Sequence, residues 1–374
     1  MPTLGLYLHI PFCRSKCLYC DFCSIPHAAG ERMVAYADAM ERDLLARAED
    51  CRDDTVDTVY FGGGTPTCLP PEALCGLLGT VLSCYNVAEN AEITTECNPG
   101  TVTPGDLVKL REGGYTRLSM GLHSAQAGEL RALGRLHSFA DFAETFRAAR
   151  EAGFANISAD VMFGIPNQTA ESFADTLEKL CDLRPDHVSA YALTVEEGTP
   201  FGRRGAAALN LPDEEVVREM YLGMVEFLGK RGLAQYEISN FARAGYESRH
   251  NLKYWTLGEY LGFGPAAYSD FGGARFGNSR DLDGYLAGRD ITAECERPSE
   301  KTRASERVML GLRLTRGLDA KTLGAARCAV LDRYIPAGLV KRAGDRYAMT
   351  PEGMLVSNAI LSELVDFSED SSVK

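Results

Sequence analysis

Short runs in which apolar and polar residues alternate are each followed by a stretch with helical spacing. Leu4, Leu6, Leu8 and Ile10 take one parity of an opening strand, and Gly5, Tyr7 and His9 the other. Next come a helical pattern over 31–48, a strand over Thr55–Phe61, a helix over 71–83 and a strand over Glu92–Cys97. The order repeats with a helix over 103–113, a strand over Arg117–His123 and a helical stretch over 126–152 that breaks near Gly134. A strand over Asn156–Phe163, a helix over 170–183 and a strand over His187–Val195 complete the series. Such alternation predicts parallel βαβ units with right-handed crossovers. The fold class is therefore α/β, a partial (β/α)6 barrel of the TIM type, with chemistry at the C-terminal ends of its strands.

Residues 196–296 are less regular, with a turn at Glu197-Gly198-Thr199-Pro200, a helix over 213–231 and an extended run over Tyr236–Phe241. From 297 the pattern turns helical: Arg303–Leu312 is strongly periodic, and Leu318-Asp319 opens a shorter helical stretch. Tyr347-Ala348-Met349 reads as a strand entering a helix at Pro351. The chain thus divides into a core at 1–240, a connecting segment at 241–296 and a small helical or winged-helix-like domain at 297–374. The tail from Ser368 to Lys374 is expected to be disordered.

Composition narrows the function classes. The formal charge of −13 argues against non-specific nucleic-acid binding and gives no attraction to an anionic membrane. No apolar run reaches spanning length, and residues 1–12 lack a basic n-region and a cleavage site, which predicts a cytoplasmic protein without a signal peptide. Twelve cysteines in a long chain, scattered apart from one cluster, fit reduced thiols plus a metal site.

That cluster follows the first strand: Cys13, Cys17 and Cys20 form C-x3-C-x2-C, with Cys23 close behind. Thiolates favour zinc, copper or an iron–sulfur cluster. A structural zinc site usually draws on two such pairs, and no second pair follows downstream. Three thiolates on a four-iron cluster leave one iron open to a small molecule.

The spacing, with Tyr7-Leu8-His9-Ile10-Pro11-Phe12 before it, resembles the radical S-adenosylmethionine (SAM) superfamily, in its branch of oxygen-independent coproporphyrinogen III oxidases and HemW-type heme chaperones. The resemblance implies a [4Fe–4S] cluster on Cys13, Cys17 and Cys20, with SAM on the open iron. It places Gly63, Gly64 and Thr65 of the glycine loop against the methionine part of SAM. Glycines there allow close backbone approach, and their amides can form an anion-binding concavity. Glu96 at a strand end, Arg135 in Leu133-Gly134-Arg135-Leu136-His137, and Tyr7 and Tyr19 join the SAM site by the same resemblance. Asp160 lies mid-strand, opposite in parity to Ile157, Ala159 and Val161, so it needs a partner; SAM, Arg135 or a structural ion pair would serve. Ser119, Gly121 and His123 share the parity expected to face the lumen. His123 stands where relatives commonly carry Gln, and imidazole hydrogen-bonds with a different geometry.

Downstream, His250-Asn251-Leu252-Lys253-Tyr254-Trp255 is similar to the H-N-x-x-Y-W stretch of the heme chaperone branch. If helical, it sets His250 and Tyr254 on one face, and an exposed imidazole beside aromatic surface could give heme iron an axial nitrogen. Packed core residues are the alternative. The resemblance extends from Tyr7 to Arg313 and implies heme, acceptor hemoproteins (respiratory and membrane-associated ones among them), an electron donor and a dimer through the cluster mouth. Three functions fit: a heme chaperone, a coproporphyrinogen III oxidase, or a radical SAM enzyme on another substrate. Phe22 stands where the oxidase pattern has a further cysteine, and the oxidase carries an extension before its cluster; both favour the chaperone.

Overall fold

The structure is a computed structural model, and it describes residues 3–365. Six strands pair in chain order and in parallel: β1 (Thr3–Ile10), β2 (Thr55–Gly63), β3 (Val87–Cys97), β4 (Arg117–His123), β5 (Asn156–Phe163) and β6 (His187–Ala192). The helices between them begin where local chemistry favours a start. Thr103, Ser138 and Thr169 each cap a helix in a capping box, satisfying amides that have no intrahelical partner. The predicted break at Gly134 is a left-handed residue with φ 76, closing one short helix before the next.

Each strand sends its apolar parity outward. Val59, Phe61, Ile93, Leu118, Met120, Ile157, Val161 and Val188 are buried in the main core that also includes Leu74, Leu78, Phe142, Phe146 and Leu177 of the covering helices. The opposite parity is polar: Tyr60, Glu96, Arg117, Ser119, Asp160 and Ser189 all line a central cavity. A (β/α)8 barrel normally fills this space with branched apolar side chains. Here the lumen is hydrophilic and open to a ligand.

The stretch from 241 to 296, expected to be a connecting segment, instead contributes to the sheet. Strand β9 (Tyr260–Phe263) pairs in parallel with β1, and β10 (Tyr268–Phe271), β11 (Ala274–Asn278) and β12 (Thr292–Glu296) extend that edge antiparallel. On the other side, β7 (Ala234–Glu237) and β8 (Asn240–Ala242) form a hairpin against β6, so the sheet has twelve strands. The run Tyr236–Phe241 is thus two strands and a turn. The helices Glu300–Gly311 and Ala320–Asp332 and a three-stranded sheet build the winged-helix-like C-terminal unit. Leu318-Asp319 is a short strand of that sheet, and the helix starts at Ala320. The expectation for the tail at 368–374 falls outside the described residues. Among the described residues no helix is long and apolar enough to cross a membrane, and all twelve cysteines are unbridged.

Candidate functional site

The cysteine loop lies over the C-terminal ends of the barrel strands and is tied down along its length. Leu18 donates its amide to the Leu133 carbonyl and accepts from the Phe201 amide, while Phe12–Cys13 pairs with Ile25–Pro26. Cys13, Cys17 and Cys20 are half-buried and line one cavity of about 360 Å³. Burial raises the Cys13 and Cys20 thiols above their usual range, and hydrogen bonds to Cys13, one of them from Thr65 at 3.6 Å, work the other way. Among the described residues no three cysteine, histidine or carboxylate side chains converge at the spacing one metal ion requires. Three thiols opening on one cavity fit a polynuclear cluster better than a single zinc.

The same cavity gathers Tyr19, Gly63, Gly64, Thr65, Glu96, His123, Arg135 and Asp160. The glycine loop serves differently from expectation. Its amides are already used: Gly63 N–H donates to Glu96 Oε2 (3.1 Å), Gly64 N–H to the Ile10 carbonyl (2.9 Å) and Thr65 N–H to the Phe12 carbonyl (2.7 Å). No free anion-binding concavity remains. The glycines are needed for contact, since a Cβ on Gly64 would meet the Phe12 oxygen at 2.7 Å and one on Gly63 would enter the His9 ring. They hold the cysteine loop against the second strand.

Glu96 accepts from the Tyr60 hydroxyl (2.9 Å), and burial, reinforced by nearby Asp160, pushes its carboxyl up to about 7. Asp160 is also raised by burial; it accepts from Ser119 (3.2 Å) and is held by Ser189, so its partners are hydroxyls and not Arg135. Arg135 turns to the cysteine loop, donating to Asn98 Oδ1 (2.5 Å) and to Cys17 Sγ (3.4 Å). His123 faces the cavity in a left-handed conformation, φ 65, beyond a register shift in its strand. Burial, with Arg135 beside it, holds its imidazole well below the usual histidine range. His123 Nδ1, Arg135 Nε and Arg117 Nε are buried without a hydrogen-bond partner. All three belong to residues that line the cavity, which suits a ligand rich in polar groups such as SAM.

The lining residues not singled out from sequence include Tyr60, Asn98, Arg117, Ser189 and Tyr191. Arg117 is 1% exposed, and a cation at a strand start reads as a solvated end unless its parity with Ser119 is followed inward.

Two expected site residues lie apart from this cavity. Tyr7 lines a neighbouring one and shares its hydroxyl with His9 Nδ1 (3.2 Å). His250 departs most from expectation: it is 1% exposed, not exposed. Its Nδ1 meets Thr58 Oγ1 (2.9 Å), its Nε2 meets the Tyr254 hydroxyl (2.8 Å), and its ring stacks on Tyr60. The helix Arg249–Thr256 turns this face inward because the His250 and Arg249 amides bind the buried Glu92 carboxylate. Burial brings the imidazole down to about 3, so it stays neutral. Neither nitrogen is free for iron in this packing. His250→Ala is expected to destabilise the fold by about 2–4 kcal/mol, through a cavity and two orphaned hydroxyls, read as a lower urea midpoint. An unchanged midpoint would contradict the packing.

A second buried carboxyl, Glu237, is likewise lifted by burial to about 7 while accepting from the Ser239 amide (2.7 Å) and from Asn240. Between the ordinary value of 4.5 and about 7 the folded chain holds protons that the unfolded chain has lost. The stability contribution is complete below 4.5 and is lost as pH rises through 7. Glu237→Gln is expected to flatten that fall in urea unfolding followed from pH 5 to pH 8; an unaltered slope would refute the assignment.

Residues 7–180 match the model of the radical SAM superfamily, and residues 299–356 that of the HemN C-terminal domain. The heme chaperone HemW of Mycobacterium tuberculosis is 36% identical, over 96% of this chain and 94% of its own length. Those of Bacillus subtilis and Escherichia coli are 33% and 32% identical, with 95% and 96% of this chain covered and 97% and 98% of theirs. Among solved structures, coproporphyrinogen III oxidase (HemN) from Escherichia coli superimposes with a TM-score of 0.84 at 25% identity, over 96% of this chain and 89% of the other. With the cysteine loop, polar lumen and C-terminal unit in place, this end-to-end similarity means that the chain belongs to the HemW heme chaperone family of the radical SAM superfamily.

Proposed function

We propose that this chain is a cytoplasmic heme chaperone that holds a [4Fe–4S] cluster on Cys13, Cys17 and Cys20, binds SAM in the polar lumen and passes heme to acceptor hemoproteins. The observation that carries the reading is similarity to heme chaperones along nearly the whole length of both chains. A reduced cluster with SAM on its open iron supplies one-electron cleavage of the sulfonium, for which an electron donor is required. The chain's own residues orient and screen. Glu96, with a carboxyl that titrates near neutrality, accepts hydrogen bonds from ribose or ammonium groups. Arg135, donating to Cys17 Sγ at 3.4 Å and to Asn98, ties the cysteine loop to the wall of the lumen. His123 and Tyr19 close the side of the lumen, their rings 6.1 Å apart. Membrane-bound respiratory hemoproteins are the proposed acceptors, and pairing of two chains at the cluster mouth is the proposed assembly.

The oxidase reading draws on the structural likeness to HemN. Against it, Phe22 occupies the position of the oxidase's further cysteine and is 68% exposed at the loop tip. Anaerobic reconstitution followed by parallel assays separates the two. Heme binding without conversion of coproporphyrinogen III is expected; turnover without heme binding would hand the function to the oxidase.

A further inference from the structure

With His250 buried, heme needs another seat. A second cavity of about 550 Å³ adjoins the first, sharing Phe22, Gly63 and Glu96 with it. That size suits a large cofactor. Three aromatic side chains are exposed among the described residues, Phe22, Tyr191 and Tyr268, and every one lines one or both of these cavities. Exposed aromatic surface confined to one region marks a binding site, because each ring left in water costs free energy that a ligand recovers. Phe22 stands on the cysteine loop, and Tyr268, 48% exposed, stands on the strand paired with β11.

Among groups in this cavity that could ligate iron, most are engaged. His9 uses Nδ1 with the Tyr7 hydroxyl and Nε2 with the Cys23 carbonyl (2.9 Å). Tyr268 reaches Glu294 at 3.4 Å. The Cys23 thiol is half-buried and lines this cavity, with no hydrogen bond to its sulfur among the described residues; burial raises it above the usual thiol range, and Arg280 and Lys16 nearby work the other way. The His9 bond to its carbonyl fixes the backbone that aims it. Arg280 is the only lysine or arginine lining the cavity among the described residues; it lies 3.5 Å from Asp21 in an exposed pair that a propionate at the rim would exchange for. Thiolate is an established type of axial ligand for heme iron.

We propose that heme binds in this second cavity, with the macrocycle against Tyr268 and Phe22, a propionate at Arg280 and Cys23 Sγ on the iron. The site rests on the heme chaperone reading and assigns it a location. On binding, the Cys23 thiol gives its proton to solvent and the sulfur lone pair forms the bond to ferric iron; no electron is transferred. Heme so placed lies beside the SAM site and meets it at Phe22, Gly63 and Glu96.

The test is hemin titration of the full-length, cluster-reconstituted protein followed by its Soret band and electron paramagnetic resonance. Wild type is expected to give a thiolate-type signature, and Cys23→Ser to lose it while retaining acid-labile sulfide and SAM binding. Tyr268→Ala is expected to weaken hemin binding roughly tenfold with the cluster intact. Unchanged spectra in Cys23→Ser together with unchanged affinity in Tyr268→Ala would overturn the site while leaving heme binding standing. Loss of the cluster in Cys23→Ser would also overturn it, by making that sulfur a cluster ligand. Wild type that binds no hemin would overturn the chaperone reading itself.

Discussion

Replacing Cys17 by alanine is expected to remove the iron–sulfur chromophore entirely, with acid-labile sulfide falling to background after anaerobic reconstitution. A cluster held by three protein thiolates loses one of them, and two thiolates cannot hold a cube against release. The fold should survive the change. The loop is fastened by Leu18 to Leu133 and Phe201 and by the strand pair at Phe12–Cys13, none of which involves the Cys17 side chain. Far-ultraviolet dichroism and the urea midpoint should therefore stay near wild type while the visible absorption disappears. Arg135, freed from Cys17, still has Asn98 and the Gly121 carbonyl. Sulfide retained at wild-type levels in Cys17→Ala would show that the ligands are misassigned.

The second large effect is on stability. Asp270 on β10 receives both Nη atoms of Arg303 from the helix Glu300–Gly311, one at 2.6 Å, and lies 3.6 Å from Arg275. Arg275 in turn grips Glu306 with two bonds of 2.8 Å. Asp270, Glu306 and Arg303 have side chains only 11%, 9% and 17% exposed, so solvent screens the cluster weakly. It joins the sheet extension to the C-terminal unit. Asp270→Ala leaves Arg303 buried without its carboxylate and is expected to cost about 3–5 kcal/mol. Removing the stranded cation as well, in Asp270→Ala with Arg303→Met, should recover much of that loss, giving a coupling of about 2 kcal/mol or more. Additive losses would mean the two side chains do not interact.

Much of this arrangement was legible in the residues. The six βα units follow from alternating runs separated by helical spacing, because parallel strands need crossovers and leave a strong periodic record. Strand parity also located Glu96, Ser119 and Asp160 on the lumen side. The extension at 260–296 left no such record: its strands are four or five residues long, and turns at Gly264 and Gly272-Gly273 separate them. For His250, spacing set the imidazole and Tyr254 on one helical face but could not say which way that face turns. The decision lies with Glu92, more than 150 positions earlier, whose carboxylate caps the helix. For Asp160 the sequence left SAM, Arg135 or a structural ion pair open as partner; the structure gives it the hydroxyls of Ser119 and Ser189 from the two neighbouring strands, Ser189 directly in register.

The pairing of β1 with β9, Gly5 beside Tyr260, bears on how the protein is made. One edge of β1 stays empty until β9, near residue 260, has been synthesised. Such distant contacts close slowly, and an uncovered strand edge invites pairing with other chains. The loop bearing Cys13, Cys17 and Cys20 follows directly on that strand, so its metal-ready form is completed late in biogenesis.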